Sequence, residues 1–399
     1  MRVLILAYAC SPEIGSEFRL GWNLPIELSK IGVEVDVLLG SSDGEVGEFE
    51  IIKNHLKSNN YDNINFHLIK PTAIIKFLNF FNTKLKLSFF FYFALKLWNF
   101  QAYKYSKGLK KKFNLTHHLG PIGFREPGFI YNNELPHIWG PIGGAQLVPT
   151  NMIRKNSKYY YVSLLKNFLN KLQIKNKRVL RAVNLSKTLT FSTKNNLNIF
   201  NEKFKTSGII ISDQAITNNE LLKPSIKTIR KFIFVGSLNS RKNIQLILEI
   251  AKKHHLDLDV IGDGPLFKKL FNNYSSKKIN FKGKLTRTEV LNNIKKSDCL
   301  LIPSYVEANT SVLYEALACG IAVLTNDRDG FETELPSLFS VSQTEVKNYY
   351  DLKHSWLKSI NELRNTDVSI INSEIERLQN EKTWKQMAST YKKLYEKIV

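Results

Sequence analysis

Two glutamates eight positions apart, Glu307 and Glu315, stand in the stretch PSYVEANTSVLYEALACG, residues 303–320. A carboxylate held away from bulk water is a strong acceptor for ligand hydroxyls, and it needs a partner because an unpaired buried charge is costly. On a helix the neighbours of Glu315 would be Ser311, Val312, Ala318 and Cys319, which offer neither lysine nor arginine. Its partner must come from another part of the chain or from a ligand; the alternative is a boundary glutamate that reaches water. Residues 299–302 read as a strand ended by Pro303 and Ser304. Thr310 or Ser311 then caps a short helix that Gly320 closes, and 321–324 read as the next strand. Strand, loop, helix and strand in that order form the repeating unit of a parallel α/β sheet.

Two further groups precede this stretch. Gly236 follows an apolar run, 232–235, and Lys242 stands six positions later in GSLNSRKN. Backbone N–H groups at a strand end, a helix N-terminus and an ammonium group together suit a phosphate; a surface lysine after an ordinary loop is spelled the same way. In IGDGPL, 261–266, Gly262 and Gly264 flank Asp263 at the carboxyl end of another strand. Open α/β sheets bind ligands at such ends, and a plain tight turn has the same spelling.

The elements that must position these residues fall into two series. Strands are expected at 3–8, 33–39, 65–69, 115–119, around Ile138 and at 188–191, with a helix over 17–31 after the first. A second series runs through 232–235, 258–261, 279–281, 299–302 and 322–324. Strands alternating with helices predict α/β domains with doubly wound sheets. The polar, proline-containing, aperiodic segment 217–230 reads as a linker between them, and 399 residues exceed what one core usually holds. Trp384, Met387, Tyr391, Leu394 and Ile398, spaced by three and four, predict a terminal amphipathic helix packed as core.

A hydrophobic fraction of 43% places the chain among globular proteins. Its formal charge of +22 implies attraction to an anionic partner, either nucleic acid, a phospholipid surface or a phosphorylated substrate, or else reflects a composition rich in Lys, Asn and Ile throughout. Cys10, Cys299 and Cys319 are odd in number, lack metal-ligand spacing and read as reduced core cysteines of a cytoplasmic protein. The opening MRVLILAYACSP is too short in its apolar run for a signal peptide, and 85–100 is interrupted by Lys86 and Lys96, so no spanning helix is expected. Asp257 and Asp259, like Asp327 and Asp329, form a D-x-D; the first enters a strand and the second sits in a loop, and no essential metal or cofactor is expected. Zinc, RRM and KH signatures are missing, which argues against a nucleic-acid module.

In order and position, Gly236 with Lys242, IGDGPL, FKGKL (281–285), SDCLLIPS (297–304) and the two glutamates with EALACG resemble the carboxyl-terminal domain of retaining GT-B glycosyltransferases of family 4, the group 1 glycosyltransferases. The resemblance implies two Rossmann-like domains facing across a cleft, with a nucleotide-sugar donor on the second and the helix TWKQMASTYKKLYEKI crossing back to the first. The boundaries it suggests are 1–216, a linker at 217–230, 231–375 for the donor domain and 376–399 for the returning helix. It implies that Glu315 holds the donor ribose and that Glu307 contacts sugar hydroxyls. The N–H groups of Asn309, Thr310 and Ser311 would face the sugar and diphosphate, and Gly236, Lys242, Gly262, Asp263 and Gly264 would complete the donor site. Two departures stand out: Ser237 occupies the place of the family's arginine, with Arg241 the neighbouring charge available to replace it, and Ala308, Asn309 and Thr310 replace a glycine-rich segment.

In the first half, YACSPEIGSE with Gly21 and Trp22, THHLGPIGFREP (116–127) and HIWGPIGG (137–144) resemble the family's first loop and helix and its cleft loops. Gly15 and Ser16 would let the backbone approach the donor phosphate or the acceptor. His117 or His118 would stand near the reacting sugar carbon; adjacent strand residues face opposite sides, so one alone can face the cleft, and His118 is preferred. The resemblance further implies retention by front-face attack with the diphosphate assisting, metal-independent.

LSFFFYFALKLW (87–98), followed by Lys107, Lys110, Lys111 and Lys112, and a second basic run of Lys166, Lys171, Lys175, Lys177 and Arg178, mix aromatic and basic residues in the half where such enzymes receive acceptors. These are either segments lying in an anionic membrane interface or core helices with solvated lysine faces. The expectation is a hexosyltransferase that moves a sugar to a glycan or lipid-linked glycan in cell-surface polysaccharide (lipopolysaccharide or capsule) synthesis. It would work in the cytoplasm or peripherally on the inner face of the cytoplasmic membrane. A non-catalytic sugar-nucleotide binder and a basic nucleic-acid-binding protein are the alternatives.

Overall fold

The apolar run after Arg2, residues 3–7, has no polar residue to show to water on either side, and a strand of that kind is stable only inside a sheet covered on both faces. In the computed structural model, which describes residues 1–15, 17–40, 47–59, 61–85, 87, 89–155, 157–217, 221–328 and 335–399, this run is β1 (Arg2–Ala7), with Val3, Ile5 and Leu6 wholly buried. The chain divides into two units, Met1–Ala145 with Lys171–Gln214 and Trp384–Val399, and Gln146–Asn170 with Ala215–Thr383.

Unit 1 continues with α1 (Glu17–Lys30), β2 (Glu34–Leu39), α2 (Gly47–Ser58), β3 (Ile64–Leu68), α3 (Ala73–Leu85), α4 (Phe89–Lys107), β4 (Leu115–Gly120) and β5 (His137–Ile142). After α5 (Lys158–Gln173), most of which belongs to unit 2, come α6 (Lys177–Leu185), β6 (Thr188–Phe191), α7 (Lys194–Phe204) and β7 (Ile209–Ile210). The strands form one parallel sheet in the order β3-β2-β1-β4-β5-β6-β7, so β1 lies between β2 and β4.

Unit 2 holds β8 (Lys231–Val235), α8 (Ile244–His254), β9 (Asp257–Ile261), α9 (Phe267–Tyr274), β10 (Ile279–Gly283), α10 (Arg287–Ile294), β11 (Cys299–Ile302), α11 (Ser311–Ala318), β12 (Ala322–Asn326), β13 (Ser340–Val341), α12 (Tyr349–Asn365) and α13 (Val368–Glu381). Its parallel sheet runs β10-β9-β8-β11-β12-β13. Two doubly wound α/β units of this kind make the GT-B architecture. Residues 218–220 of the expected linker lie outside the described residues. From 221 onward the segment is a strap on unit 2, because Ile226 and Ile229 are buried in its core and Asn372 of α13 both donates to and accepts from the Ile226 backbone at 3.1 Å.

The last helix, α14 (Trp384–Ile398), follows α13 in sequence yet packs in unit 1, against α1. The passage back falls at residues 383 and 384, with α13 remaining in unit 2. Of the expected stripe α14 buries Trp384, Met387, Tyr391 and Leu394, with Ala388 and Tyr395 beside them, while Ile398 is half-buried. The edge strands β7 and β13 had no sequence expectation, since two residues are too few to show a period. No helix among the described residues is long and apolar enough to cross a membrane, and all three cysteines are buried thiols.

Candidate functional site

In unit 2 the loops after β8, β9 and β10 are joined by backbone hydrogen bonds. Gly236 donates to Ile261 at 3.0 Å, Leu238 to Asp263 at 2.9 Å and Gly262 to Gly283 at 2.8 Å. The close approach explains IGDGPL. Gly262 has φ +135°, and a Cβ there would stand 2.0 Å from the Gly236 carbonyl oxygen. Gly262→Ala is expected to destabilise unit 2 by roughly 3 kcal/mol or to open this loop pair; chemical denaturation with a probe in unit 2 checks it, and an unchanged midpoint would contradict it. Asp263 is exposed and accepts from the Gly264 N–H at 2.7 Å, so it shapes the turn.

The loop after β8 delivers two cations to one carboxylate. Asn239 accepts from the Lys242 N–H at 3.2 Å and fixes a short turn over Ser240–Lys242. From it, Lys242 Nζ lies 2.5 Å and Arg241 Nη1 2.8 Å from Glu307 Oε1. Arg241 is clamped at both ends, its carbonyl accepting from Tyr305 N–H and its Nη1 donating to the Val306 carbonyl, each at 3.0 Å. Burial works to raise the Glu307 carboxyl, but Lys242 and Arg241 outweigh it and hold the group below its ordinary 4.5. The stability this cluster contributes is therefore present above about pH 4.5 and is lost as pH falls through the lowered value. Ser237 is exposed and accepts from Asn239 Nδ2 at 3.1 Å. Arg241, four residues on, places its guanidinium at Glu307.

Glu315, on the buried side of α11, has the non-helical partner its surroundings require: Arg287 Nε is 3.6 Å away. Arg287 opens α10, whose start is set by a reciprocal Thr286–Glu289 capping box. It was not singled out from the sequence, although a cation at a T-x-x-E box directly after a strand was a signal. Ala308, Asn309, Thr310 and Ser311 are partly exposed at the start of α11. Thr310 is the N-cap by position, without a side-chain capping bond. Gly236, Lys242, Gly262, Gly264, Glu307, Asn309–Ser311 and Glu315 all follow the carboxyl ends of parallel strands of one sheet.

In unit 1 the two histidines of β4 face opposite sides, and each is held by the core. His117 lies 2.7 Å from the Tyr395 hydroxyl through Nδ1 and 2.7 Å from the Gly140 carbonyl through Nε2. Both of its nitrogens are committed, which is the arrangement of a structural histidine. His118 Nδ1 donates to the Pro127 carbonyl at 2.8 Å, and its buried Nε2 has no hydrogen-bond partner among the described residues. Desolvation pushes both rings down, His117 to about 3 and His118 to about 4, so both are neutral at pH 7. Gly15 lies in the loop after β1, and Ser16 is outside the described residues. Just beyond, Glu17 is raised to about 7, first by burial and then by the charge of Asp213.

The D-x-D at 257–259 is not arranged as a metal site. Asp259 is engaged by Lys282 at 2.9 Å and Lys231 at 3.3 Å, and Asp329 lies outside the described residues. Among the described residues no group of three or more His, Cys, Asp or Glu side chains converges as metal ligands would.

Comparison with known proteins agrees with this geometry. Residues 220–348 match the family model described as glycosyl transferases group 1. An uncharacterized glycosyltransferase of Methanocaldococcus jannaschii is 26% identical over 171 residues, covering 42% of this chain and 48% of its own length. The GPI3 subunit of phosphatidylinositol N-acetylglucosaminyltransferase from Saccharomyces cerevisiae is 26% identical over 179 residues, covering 42% of this chain and 38% of its own. The aligned region thus spans half or less of these curated relatives. Among solved structures, Anabaena Alr3699/HepE in complex with UDP superposes with a TM-score of 0.59 at 10% identity, covering 100% of both chains, a likeness of fold. The stretch that matches the group 1 glycosyl transferase model thus lies wholly in unit 2, in a chain built on the two-sheet GT-B architecture.

Proposed function

We propose that this protein is a retaining hexosyltransferase that takes its sugar from a nucleotide-sugar donor bound on unit 2. The observation that carries the reading is the convergence of Lys242 and Arg241 on buried Glu307, beside the amino terminus of α11 and within one sheet end of Glu315. A diphosphate needs fixed positive charge and N–H donors, and this loop set supplies both. Glu315, with Arg287 behind it, accepts from the ribose hydroxyls; Glu307, kept ionised, accepts from sugar hydroxyls while its cations turn to the phosphates. In unit 1, His118 is the histidine assigned to the sugar, since His117 has both nitrogens committed.

In the transfer, the bond between the anomeric carbon and the diphosphate oxygen breaks while an acceptor oxygen attacks from the same face. The acceptor's proton passes to the departing diphosphate, and Lys242 and Arg241 stabilise the charge that develops there. Because those two cations fill the role a divalent ion would have, activity is expected to survive chelation.

The acceptor is a glycan or lipid-linked glycan, in keeping with the lipid, phosphatidylinositol, in the yeast relative's name, and the pathway is cell-surface polysaccharide synthesis at the cytoplasmic face of the membrane. Thermal-shift measurements against UDP-, GDP- and ADP-sugars test the donor reading, because a ligand that binds only the folded protein raises its melting temperature. A shift with one base and none with the others supports it; no shift with any sinks it. A shift without hydrolysis or transfer of the same donor would favour a non-catalytic binder.

A further inference from the structure

Charge in this chain is concentrated in one region. Residues 63–201 hold twenty-two Lys and Arg against two carboxylates, Glu126 and Glu134, so +20 of the formal +22 lies in about a third of the sequence. Glu126 is itself taken up by Arg178 at 2.5 and 2.6 Å. A lysine-rich composition would raise the positive count everywhere; it would not strip carboxylates from one segment. Within that segment lie α3 and α4, which pack on each other in unit 1.

α4 is apolar on two opposite faces. Ala94, Leu95, Trp98 and Ala102 are buried with Leu4 and Leu38 of the sheet, and Trp98 Nε1 donates to the Ile69 carbonyl at 3.0 Å. The outer stripe is Phe89, Phe93, Lys96, Phe100, Lys104 and Lys107, spaced by three and four and exposed throughout. Phe77 of α3 is 63% exposed, and Phe89 and Phe93 are each 54% exposed. Their rings continue from one helix to the other, Phe77 against Phe81 at 4.9 Å, Phe81 stacked on Phe90 at 5.0 Å, and Phe89 against Phe93 at 5.9 Å. Toward the end of α4 the ammonium groups cover the aromatic rings, Lys104 over Phe100 at 4.7 Å and Lys107 over Tyr103 at 5.0 Å. A helix that needs one apolar face for its own core and carries a second has a surface left for something outside the unit.

We infer that the outer face of the α3–α4 pair docks on a bilayer containing anionic phospholipid, the phenylalanines entering the headgroup–acyl boundary and the lysines meeting lipid phosphates. Charge complementarity selects this occupant. A second copy of the chain would set the same lysines against each other. Single-stranded RNA would suit the charge and stack on exposed rings, but it would leave the exposed aliphatic side chains of Ile74 and Leu85 on α3 without an apolar partner. Phe and Leu with lysines at the stripe's end are what an interfacial helix requires, the lysines adding attraction to an anionic surface. In making the membrane the place where a lipid-linked acceptor is met, the inference rests on the transferase reading; the docking itself does not.

The test is co-sedimentation of the full chain with phosphatidylcholine vesicles and with vesicles that also contain phosphatidylglycerol. Binding to the mixed vesicles, weakening as salt rises, is expected. Phe77→Ser/Phe89→Ser/Phe93→Ser should lower that binding by about tenfold or more, and Lys104→Gln/Lys107→Gln by about tenfold, both with unchanged melting temperature and an unchanged thermal shift by the donor. Those controls separate loss of docking from loss of fold and from failure of the donor reading. No binding of the wild type to mixed vesicles would overturn the inference, as would undiminished binding by the triple phenylalanine variant, or random-sequence RNA binding in place of vesicle binding.

Discussion

Lys242→Ala is expected to lower kcat/KM for the donor by about a hundredfold while the protein still folds. Removing one preorganised positive or N–H donor from a site where anionic charge develops typically costs a factor of this size, and Lys242 is half of the cation pair on the loop after β8. Its Nζ is 2.5 Å from Glu307 Oε1, so the loss also takes from the buried carboxylate the nearer of these two cations and leaves Arg241 at 2.8 Å. The Glu307 carboxyl would then titrate higher, and the acid limb of the stability profile should move toward neutral pH. Lys242→Arg keeps charge but not the compact ammonium, and should recover only part of the rate. Steady-state kinetics with varied donor, alongside circular dichroism, decide the matter; a rate within about twofold of wild type would remove Lys242 from the reaction.

The second large effect is specific to one part of the donor. If Glu315 accepts from the ribose, Glu315→Ala should raise the donor KM by about ten- to a hundredfold, the worth of hydrogen bonds to a charged group. The sharper readout is discrimination. Wild type should bind the ribonucleotide diphosphate more tightly than its 2′-deoxy and 3′-deoxy forms together, and the variant should not distinguish them, which a double-mutant cycle with modified ligands measures. Glu315→Ala also leaves Arg287, 3.6 Å away, with one partner fewer. Glu315→Ala/Arg287→Ala therefore serves as a control for local charge imbalance. Equal discrimination by wild type and variant would show that Glu315 acts in the fold and not on the ribose.

The two-sheet architecture was open to reading because buried parallel strands are written as near-continuous apolar runs and the returning helix as a stripe with threes and fours. That pattern depends on local sequence alone, and α14 carries the stripe written for it, although it begins at Trp384 and not at 376. The segment after 216 went the other way. Its polar, proline-containing composition is that of a linker, yet two isoleucines at 226 and 229 suffice to hold it on unit 2, a contact set by Asn372 and the core around α13. Composition averages over such single anchors, and partners 146 positions away leave no local trace.

The site divides along the same line. Residue types and spacing determined that a carboxylate at 315 lacked a helical partner, that the β8 loop carried two cations, and that His117 and His118 must face opposite sides. Only the tertiary structure decided that the partner is Arg287, that Arg241 and Lys242 both bring their charge to Glu307, and that His117 is spent on Tyr395 and Gly140. The physical reason is that helix and strand periods are properties of consecutive residues, whereas ion pairs and hydrogen bonds form wherever separate loops meet at the end of a sheet. The same holds for the α3–α4 face: the sequence spelled out aromatic and basic residues, and packing against the sheet selected which of them remained outside.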